Sequence, residues 1–203
     1  CIPRAMPAKC YICLEVAFFG EAGDPSHGPL KRACACRGRT AGFAHLPCLV
    51  QYAVSQATSV SWRECPTCKQ HYTGKVQLGM ASAQWEIVRE SERQVEDLER
   101  LSAASCLAMA LQDAGDFDGA LPLFEEALAV ERRTRGDDHP DTLTSCSNLA
   151  SLHSRMGNHD LAMLLRTEAL AKRRRLLGDE DPNTLTSISN LATLHINMGT
   201  HDL

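Results

Sequence analysis

Few of the 203 residues are aromatic: Phe, Trp and Tyr together make up 5% of the chain. This scarcity disfavours a large aromatic β-core and favours helices packed through small residues. A net charge of -4 gives no bulk attraction to nucleic acid, so we expect no nucleic-acid partner. No stretch approaches the ~20 apolar residues that a bilayer-spanning helix needs, so we expect no membrane segment within this chain.

The two ends of the sequence are also informative. The chain begins at Cys1 without a methionine and stops at Leu203 inside a repeated pattern. We therefore expect a fragment, with more repeats after it. A signal peptide or membrane anchor outside the fragment stays open.

Cysteine, in contrast, is abundant, with ten residues in the chain. Seven of them and one histidine form four pairs, separated by two, one, two and two residues. The pairs are Cys10 and Cys13, Cys34 and Cys36, His45 and Cys48, and Cys65 and Cys68. Short gaps let both members of a pair reach one zinc ion, and two pairs complete one tetrahedral structural site. The pattern predicts two structural Zn²⁺ ions. Secreted disulfides would not explain the pairing, so we expect a reducing, cytoplasmic compartment.

The second half of the chain contains an internal repeat. Residues 136–161 return as residues 178–203, offset by 42 residues, and 18 of the 26 positions are identical. A weaker earlier copy keeps the same frame, with Gly115 aligned to Gly157 and Gly199. Each unit is typical of two antiparallel helices that bury their apolar faces only by stacking on the next unit. The sequence therefore predicts an all-α superhelical solenoid.

Helix signals give the details of this repeat. Asp141 or Thr142 is predicted to cap the first helix after Pro140, and the second helix to run from about His159 to Leu177. The basic run Lys172–Arg175 is interpreted as late-helix charge that complements the helix dipole. We predict a zinc domain over residues 1–78, a connecting helix over 79–100 and repeats over 101–203, the last one truncated.

The order and spacing of the paired ligands resemble those of the variant RING finger, RING-CH. The segment CACRGRTAGFAHLPCL carries this likeness, together with CYIC before it and CPTC after it. A PHD finger shares the ligand order, but its gaps are typically wider and then shorter at this point. It remains the less favoured alternative.

The RING resemblance implies a small cross-braced domain. Cys10, Cys13, His45 and Cys48 would bind the first zinc ion, and Cys34, Cys36, Cys65 and Cys68 the second. Spacing alone also allows sequential pairing. His27 and His71 are rival ligands, disfavoured because eight paired residues already complete two sites.

RING domains bind a ubiquitin-conjugating enzyme and have no nucleophile of their own, so the resemblance implies ligase activity by positioning, with no catalytic residue. Ile12 and Pro66 match hydrophobic contacts to that enzyme. Tyr52 stands where many RING domains have Trp, and Lys69 stands at the cationic position where Arg is frequent. Lys lacks the forked donors of Arg, so we expect weaker activation. Each residue could instead be an ordinary packing or solvated side chain.

The repeats resemble the 42-residue tetratricopeptide repeats of the kinesin light chain, through HPDTL at 139–143 and SNLA at 147–150 and 189–192. The resemblance implies that Asn148 and Asn190 bind the backbone of a peptide in a concave groove. They could instead only bridge neighbouring helices, and Cys106 replaces Asn in the first copy. A RING-type domain followed by such repeats also resembles a group of microalgal proteins.

Together these features predict a RING-type ubiquitin ligase that recruits a protein substrate through its helical repeats. The alternative is a non-catalytic scaffold in which the zinc finger and the repeats each bind a protein.

Overall fold

The computed structural model describes residues 8–9, 16–17, 31–32, 43–56, 58–91 and 97–199. The chain divides into two compact units, Cys1–Glu92 and Arg93–Leu203. Among the described residues, no helix is both long and apolar enough to cross a membrane.

The described part of the first unit contains two short antiparallel hairpins. Strand β1 (Ala8–Lys9) pairs with β2 (Val16–Ala17), and β3 (Lys31–Arg32) pairs with β4 (Phe43–Ala44). In the sequence, Cys10 and Cys13 fall between β1 and β2, and Cys34 and Cys36 fall between β3 and β4. These four residues lie outside the described part of the chain.

Two helices follow the hairpins, α1 (Leu46–Gln56) and α2 (Gly74–Glu90), with a single turn of 3-10 helix between them over Ser59–Trp62. Their shared core contains Ala44, Cys48, Leu49, Ala53, Trp62, Cys65, Tyr72, Val76 and Met80. A Cβ atom added at Gly79 would lie 2.5 Å from Leu46 Cδ2, so glycine lets these helices approach closely.

The second unit is a stack of five helices in its described part. They are α3 (Leu98–Ala114), α4 (Phe117–Arg135), α5 (Pro140–Arg155), α6 (His159–Leu177) and α7 (Pro182–Asn197). Each helix packs on the next one in the chain, and α3 also contacts α5. Helix α6 begins and ends where the sequence predicts, and the first helices of the repeats are α3, α5 and α7. The predicted all-α repeat stack is confirmed.

Small residues hold the stack together. Ala108, Ala120 and Ala169 are fully or almost fully buried around Phe124 and Leu152. Alanine at these crossings lets helix axes come close while Phe124 and the leucines fill the space between them. Gly115 and Gly157 end α3 and α5 with φ of 85° and 82°, a conformation that favours glycine and turns the chain back sharply.

The helix starts correct one prediction. Pro140 is the first residue of α5, so neither Asp141 nor Thr142 is its cap. The cap is His139, whose Nδ1 accepts a hydrogen bond from the backbone N–H of Asp141 at 3.2 Å. In α7 the same place is taken by Asp181, whose carboxylate accepts from the N–H of Asn183 at 2.8 Å. The cap lies one residue before the proline, because proline occupies the first helical position.

The predicted connecting helix over 79–100 coincides with the later part of α2 and the first three residues of α3. Residues 92–96 lie outside the described part of the chain.

Candidate functional site

One face of the repeat stack carries mostly polar side chains at the same positions of successive first helices. We call this set the ladder face. Its members are Ser102, Cys106, Met109 and Asp113 on α3, Thr144, Asn148, Ser151 and Arg155 on α5, and Thr186, Asn190, Thr193 and Asn197 on α7. Within each helix they are three or four residues apart, which keeps them on one side. All are partly or fully exposed, whereas the opposite sides of α3 and α5 are buried.

Asn148 and Asn190 occupy the same step of this ladder on α5 and α7. Asn148 is half-buried and Asn190 is exposed, and neither side-chain amide makes a hydrogen bond to a residue that the structure describes. The backbone carbonyl of Asn190, in contrast, accepts a hydrogen bond from Arg166 Nη1. Both amides therefore have a free donor and a free acceptor.

The last ladder-face residues of α3 and α5 are charged: Asp113 and Arg155. Arg155 Nη1 donates to Asp113 Oδ1 at 3.3 Å, from α5 to α3. The Arg155 guanidinium also lies 5.5 Å from the centroid of the Phe117 ring. These contacts fix one edge of the ladder face.

A small open crevice lies beside the ladder, between α5, α6 and α7. Its lining is Ser147, Arg166, Ala169, Ser187 and Asn190. Behind it, Arg173 Nη1 donates to Ser187 Oγ at 2.5 Å and to Ser147 Oγ at 3.2 Å. Neither arginine forms an ion pair with a carboxylate of a described residue. Arg166 therefore brings to the crevice a positive charge that has no ion-pair partner among the described residues, whereas the Asp181 carboxylate acts on the charge of Arg173.

Burial lowers the pKa of both crevice arginines, Arg166 and Arg173, from the usual high value. Cys146 and Asp181 act in the opposite direction on the pKa of Arg173. Arginine starts so far above neutrality that both guanidinium groups stay charged. A desolvated cation gains more from an incoming anion than a solvated one does.

Arg173 also corrects the interpretation of the basic run Lys172–Arg175. Only 7% of Arg173 is exposed, so it is not a solvated late-helix charge. A signal for this was present in the sequence. Arg173 follows the buried Ala169 and Leu170 by four and three residues and thus continues their stripe into the interior.

Half of the predicted zinc ligands belong to the described residues. His45, Cys48 and Cys65 are buried, at 1%, 3% and 0% exposure, and Cys68 is half-buried. Cys48 Sγ lies 3.7 Å from His45 Nδ1. Within the described residues, no three His, Cys, Asp or Glu side chains gather around one point.

The last pair sits on a tight loop. The N–H of Lys69 donates to the carbonyl of Cys65 at 2.9 Å, and the N–H of Cys65 donates to the carbonyl of Gln70 at 2.9 Å. Lys69 has a φ of 59°, which is uncommon for a residue with a side chain. The rival ligand His71 is exposed, and its Nε2 lies 3.9 Å from Glu64 Oε1.

The predicted contacts to a conjugating enzyme are distributed over this unit. Pro66 and Lys69 share the tight loop, with Pro66 half-buried and Lys69 exposed. Tyr52 is half-buried on α1. Ile12 lies outside the described residues, as does the other rival ligand, His27.

Comparison with known proteins identifies the repeats. Residues 99–174 match the profile of the tetratricopeptide repeat family. No curated protein matches the chain. Residues 99–174 are therefore repeats of the tetratricopeptide type.

Three solved structures are similar to the chain. One is a point-mutant form of the nearly identical TPR-like repeats of a Podosopora anserina protein described as a kinesin light chain. It is 26% identical to this chain, with a TM-score of 0.55, and the match covers 61% of this chain and 57% of that one. A second P. anserina structure of such repeats is 21% identical, with a TM-score of 0.53, covering 76% and 65%. BtubC (BKLC) from P. vanneervenii is 18% identical, with a TM-score of 0.53, covering 76% and 72%. The chain thus spans less than two thirds of the two P. anserina structures, and the second and third likenesses concern the fold alone.

Proposed function

We propose that the repeats bind an extended peptide segment of a protein along the ladder face, and that the first unit is a RING-type zinc domain that makes the chain a ubiquitin ligase. The observation that carries the peptide site is the pair of free amides on Asn148 and Asn190, in register on α5 and α7. A side-chain amide offers both donor and acceptor atoms, which match the N–H and C=O of an extended backbone.

The crevice beside the ladder supports a preference within such a peptide. Arg166 and Arg173 supply two positive charges, and neither forms an ion pair with a carboxylate of a described residue, although Asp181 acts on the charge of Arg173. An acidic side chain of the ligand would form charge-assisted hydrogen bonds there, which are about twice as strong as neutral ones. We therefore propose a peptide with an acidic residue directed at this crevice.

The peptide site is tested with the whole 203-residue chain and an array of extended peptides with and without an acidic residue. Asn148→Ala and Asn190→Ala should each lower the affinity of the peptides that bind by about five- to tenfold, the effect of losing one or two hydrogen bonds. Thr167→Ala, at an exposed position of α6, is the matched control and should leave affinity unchanged. Equal affinity for wild type and all three variants would refute the site.

The donor set of the first unit fits zinc. Two ligands of one tetrahedral zinc, with bonds of about 2.3 Å to sulfur and about 2.0 Å to nitrogen, lie about 3.6 Å apart. The 3.7 Å between Cys48 Sγ and His45 Nδ1 agrees with this spacing. In the cross-braced assignment that the RING resemblance implies, this pair and the pair of Cys65 and Cys68 serve different ions. His45 and Cys48 would join Cys10 and Cys13, and Cys65 and Cys68 would join Cys34 and Cys36.

A zinc ion with four protein ligands acts as a structural cross-link and has no open position for a substrate. Any contribution to ubiquitin transfer therefore comes from positioning a partner enzyme. The tight loop supports that role, because it fixes Pro66 next to the exposed cation Lys69. Tyr52 on α1 offers a half-buried aromatic ring, and Ile12 is the fourth proposed contact.

Ligase activity is tested by ubiquitin discharge from a panel of charged conjugating enzymes onto free lysine, using the zinc-loaded chain. Wild type should accelerate discharge, Ile12→Ala should abolish the acceleration, and Lys69→Ala should reduce it severalfold. Lys75→Ala, an exposed lysine at the start of α2, is the control and should behave like wild type.

The alternative function is a non-catalytic scaffold, and one observation favours it: the part of the chain with an identified family is the interaction repeat. A protein shown to hold two zinc ions that accelerates no member of the panel would establish the scaffold.

A further inference from the structure

A carboxylate is buried in the repeat stack without a partner. Glu131 lies near the end of α4 with 7% of its surface exposed. It makes no hydrogen bond or ion pair with any residue that the structure describes, and its Oε2 atom is enclosed. An unpaired buried carboxylate is destabilising, so a fold retains one only at the expense of stability.

Glu131 has a counterpart one repeat later. Helices α4 and α6 begin and end 42 residues apart, and this offset aligns Glu131 with Arg173, whose exposure is also 7%. The two serines that accept hydrogen bonds from Arg173, Ser147 and Ser187, align with Ser105 and Ser145. The two serine positions are thus the same in both repeats, whereas the buried side chain is an acid at 131 and a base at 173.

The alignment also shows where Glu131 points. Arg173 reaches serines on α5 and α7, so it enters the space between two successive first helices. Since α4 packs on α3 and α5 as α6 packs on α5 and α7, Glu131 enters the preceding space, between α3 and α5. The space around Arg173 borders the ladder face, because Asn190 lines the crevice together with Ser147 and Ser187. The 42-residue offset assigns the Glu131 space the equivalent position one repeat earlier.

We propose that the space holding Glu131 is a subsite for a basic side chain of the bound peptide. The ladder face and the spaces beside it then select a peptide with one basic and one acidic residue. This inference rests on the proposed peptide site. The basic residue approaches Glu131 between α3 and α5, and the acidic residue approaches Arg166 and Arg173 between α5 and α7.

Two arginines related to Glu131, one by sequence and one by the repeat, are engaged elsewhere. Arg132, the next residue, donates from Nη2 to Glu168 at 3.1 Å and faces Asp137 at 3.2 Å from Nε. Arg173 is engaged with serines one repeat away. A ligand arginine suits the subsite because it is long, stays charged and offers several donors to both carboxylate oxygens.

Geometry limits the spacing of the two ligand residues. Helices in contact are about 8–10 Å apart, and α3 and α5 are in contact. An extended peptide advances about 3.3 Å per residue, so neighbouring subsites are about three residues apart along the ligand. A spacing of about two to four residues covers the range of side-chain reach.

The experiment measures fluorescence anisotropy of labelled twelve-residue peptides with the 203-residue chain. Each peptide carries one Glu and one Arg, two to four residues apart, in either order, within a Ser/Thr/Ala background. Companion peptides replace Arg by Gln or Glu by Gln. The protein variants are Glu131→Gln, which keeps size and removes charge, and the control Glu125→Gln at an exposed position of α4.

For the preferred spacing, replacing Arg by Gln in the peptide should weaken binding to wild type and to Glu125→Gln by about tenfold, the effect expected for one buried charge-assisted pair. The same replacement should change binding to Glu131→Gln by less than about twofold. Replacing Glu by Gln in the peptide should weaken binding to all three proteins.

Three results would overturn the inference. If wild type does not distinguish Arg from Gln but still loses affinity on Asn190→Ala, the groove binds peptides and the basic subsite is wrong. If Glu131→Gln still binds the Arg peptide about tenfold more tightly than the Gln peptide, the basic residue binds elsewhere. Binding of no peptide by a folded chain would refute the proposed peptide site, and this inference with it.

Discussion

Arg155 and Asp113 form an ion pair of 3.3 Å between residues that occupy the same position in successive repeats, 42 residues apart. In a perfect repeat the two positions would carry the same side chain and the same charge, and could not attract. The pair therefore depends on divergence between the copies, and it joins α3 to α5 where the ladder face is exposed.

The Arg155 pair should show a small coupling in a double-mutant cycle. Both partners are substantially exposed, so the coupling between Arg155→Ala and Asp113→Ala should be about 0.2–1 kcal/mol in urea unfolding. Arg155→Ala also removes the cation from the Phe117 ring, a contact of about 0.5–1 kcal/mol. A coupling of zero in the cycle would show that the ion pair contributes nothing.

Removal of zinc should unfold the first unit selectively. A strong chelator should abolish the near-ultraviolet signal of Trp62, which is buried in the core with Cys48 and Cys65, because metal binding supplies most of the folding energy of such small domains. The helical signal of α3 to α7 should persist. Cys48→Ser should reproduce the loss, whereas Cys106→Ser, on the ladder face, should retain two zinc ions by elemental analysis. An unchanged Trp62 signal after chelation would exclude a structural metal.

Glu168 should make the stability of the repeats depend on acid. The hydrogen bond from Lys172 and the charge of Arg132 lower the pKa of its carboxyl group against the effect of burial. A lowered pKa in the folded state adds stability above the unfolded value of about 4.3, and this stability is lost as the pH falls through the folded pKa.

Glu168→Gln should therefore lower the free energy of unfolding by about 0.5–1 kcal/mol at pH 7 and by progressively less as the pH falls below about 4. Glu126→Gln, at an exposed position on α4, is the matched control. Urea titrations of both variants at several pH values make the measurement. A Glu168 deficit that does not shrink in acid would mean that packing, and not charge, is lost.

The caps of α5 and α7 can be exchanged. Asp is a better cap than His and also interacts favourably with the helix dipole, so His139→Asp should stabilise the repeats by a few tenths to about 1 kcal/mol. The reciprocal Asp181→His should destabilise them by a similar amount. Thermal unfolding of both variants tests this. Destabilisation by His139→Asp would show that repulsion from Asp137, Asp138 and Asp141 outweighs the better cap.

Repetition explains how well the helices could be predicted from sequence. The bounds of α6, His159–Leu177, follow from Gly157 and Asn158 before the helix and the change in pattern after it. The same frame returns at 178–203, so local signals were checked against a second copy. The cap of α5 was the exception. His is a weak capping residue, and only the backbone geometry shows that Pro140 already belongs to the helix.

Buried charge was harder to predict. The run Lys172–Arg175 has the composition of a solvated helix end, and only the stripe of Ala169 and Leu170 distinguishes Arg173 from its neighbours. Its burial depends on serines that approach from α5 and α7, which are 26 residues before it and 14 residues after it. The burial of Glu131 was also not predicted, because it too depends on residues distant in the sequence. Aligning the copies does place Glu131 at the position equivalent to Arg173. The predicted zinc ligands, in contrast, are a sequence pattern, and four of the eight lie outside the described residues.

The repeat separates the residues that hold the stack together from those that we propose to face a ligand. Alanines and leucines carry the packing, while positions such as 106, 148 and 190, or 131 and 173, change identity without moving a helix boundary. Ligand selectivity can therefore change by single substitutions that leave the architecture intact. A library randomised at these few positions would sample new ligand preferences on an unchanged scaffold.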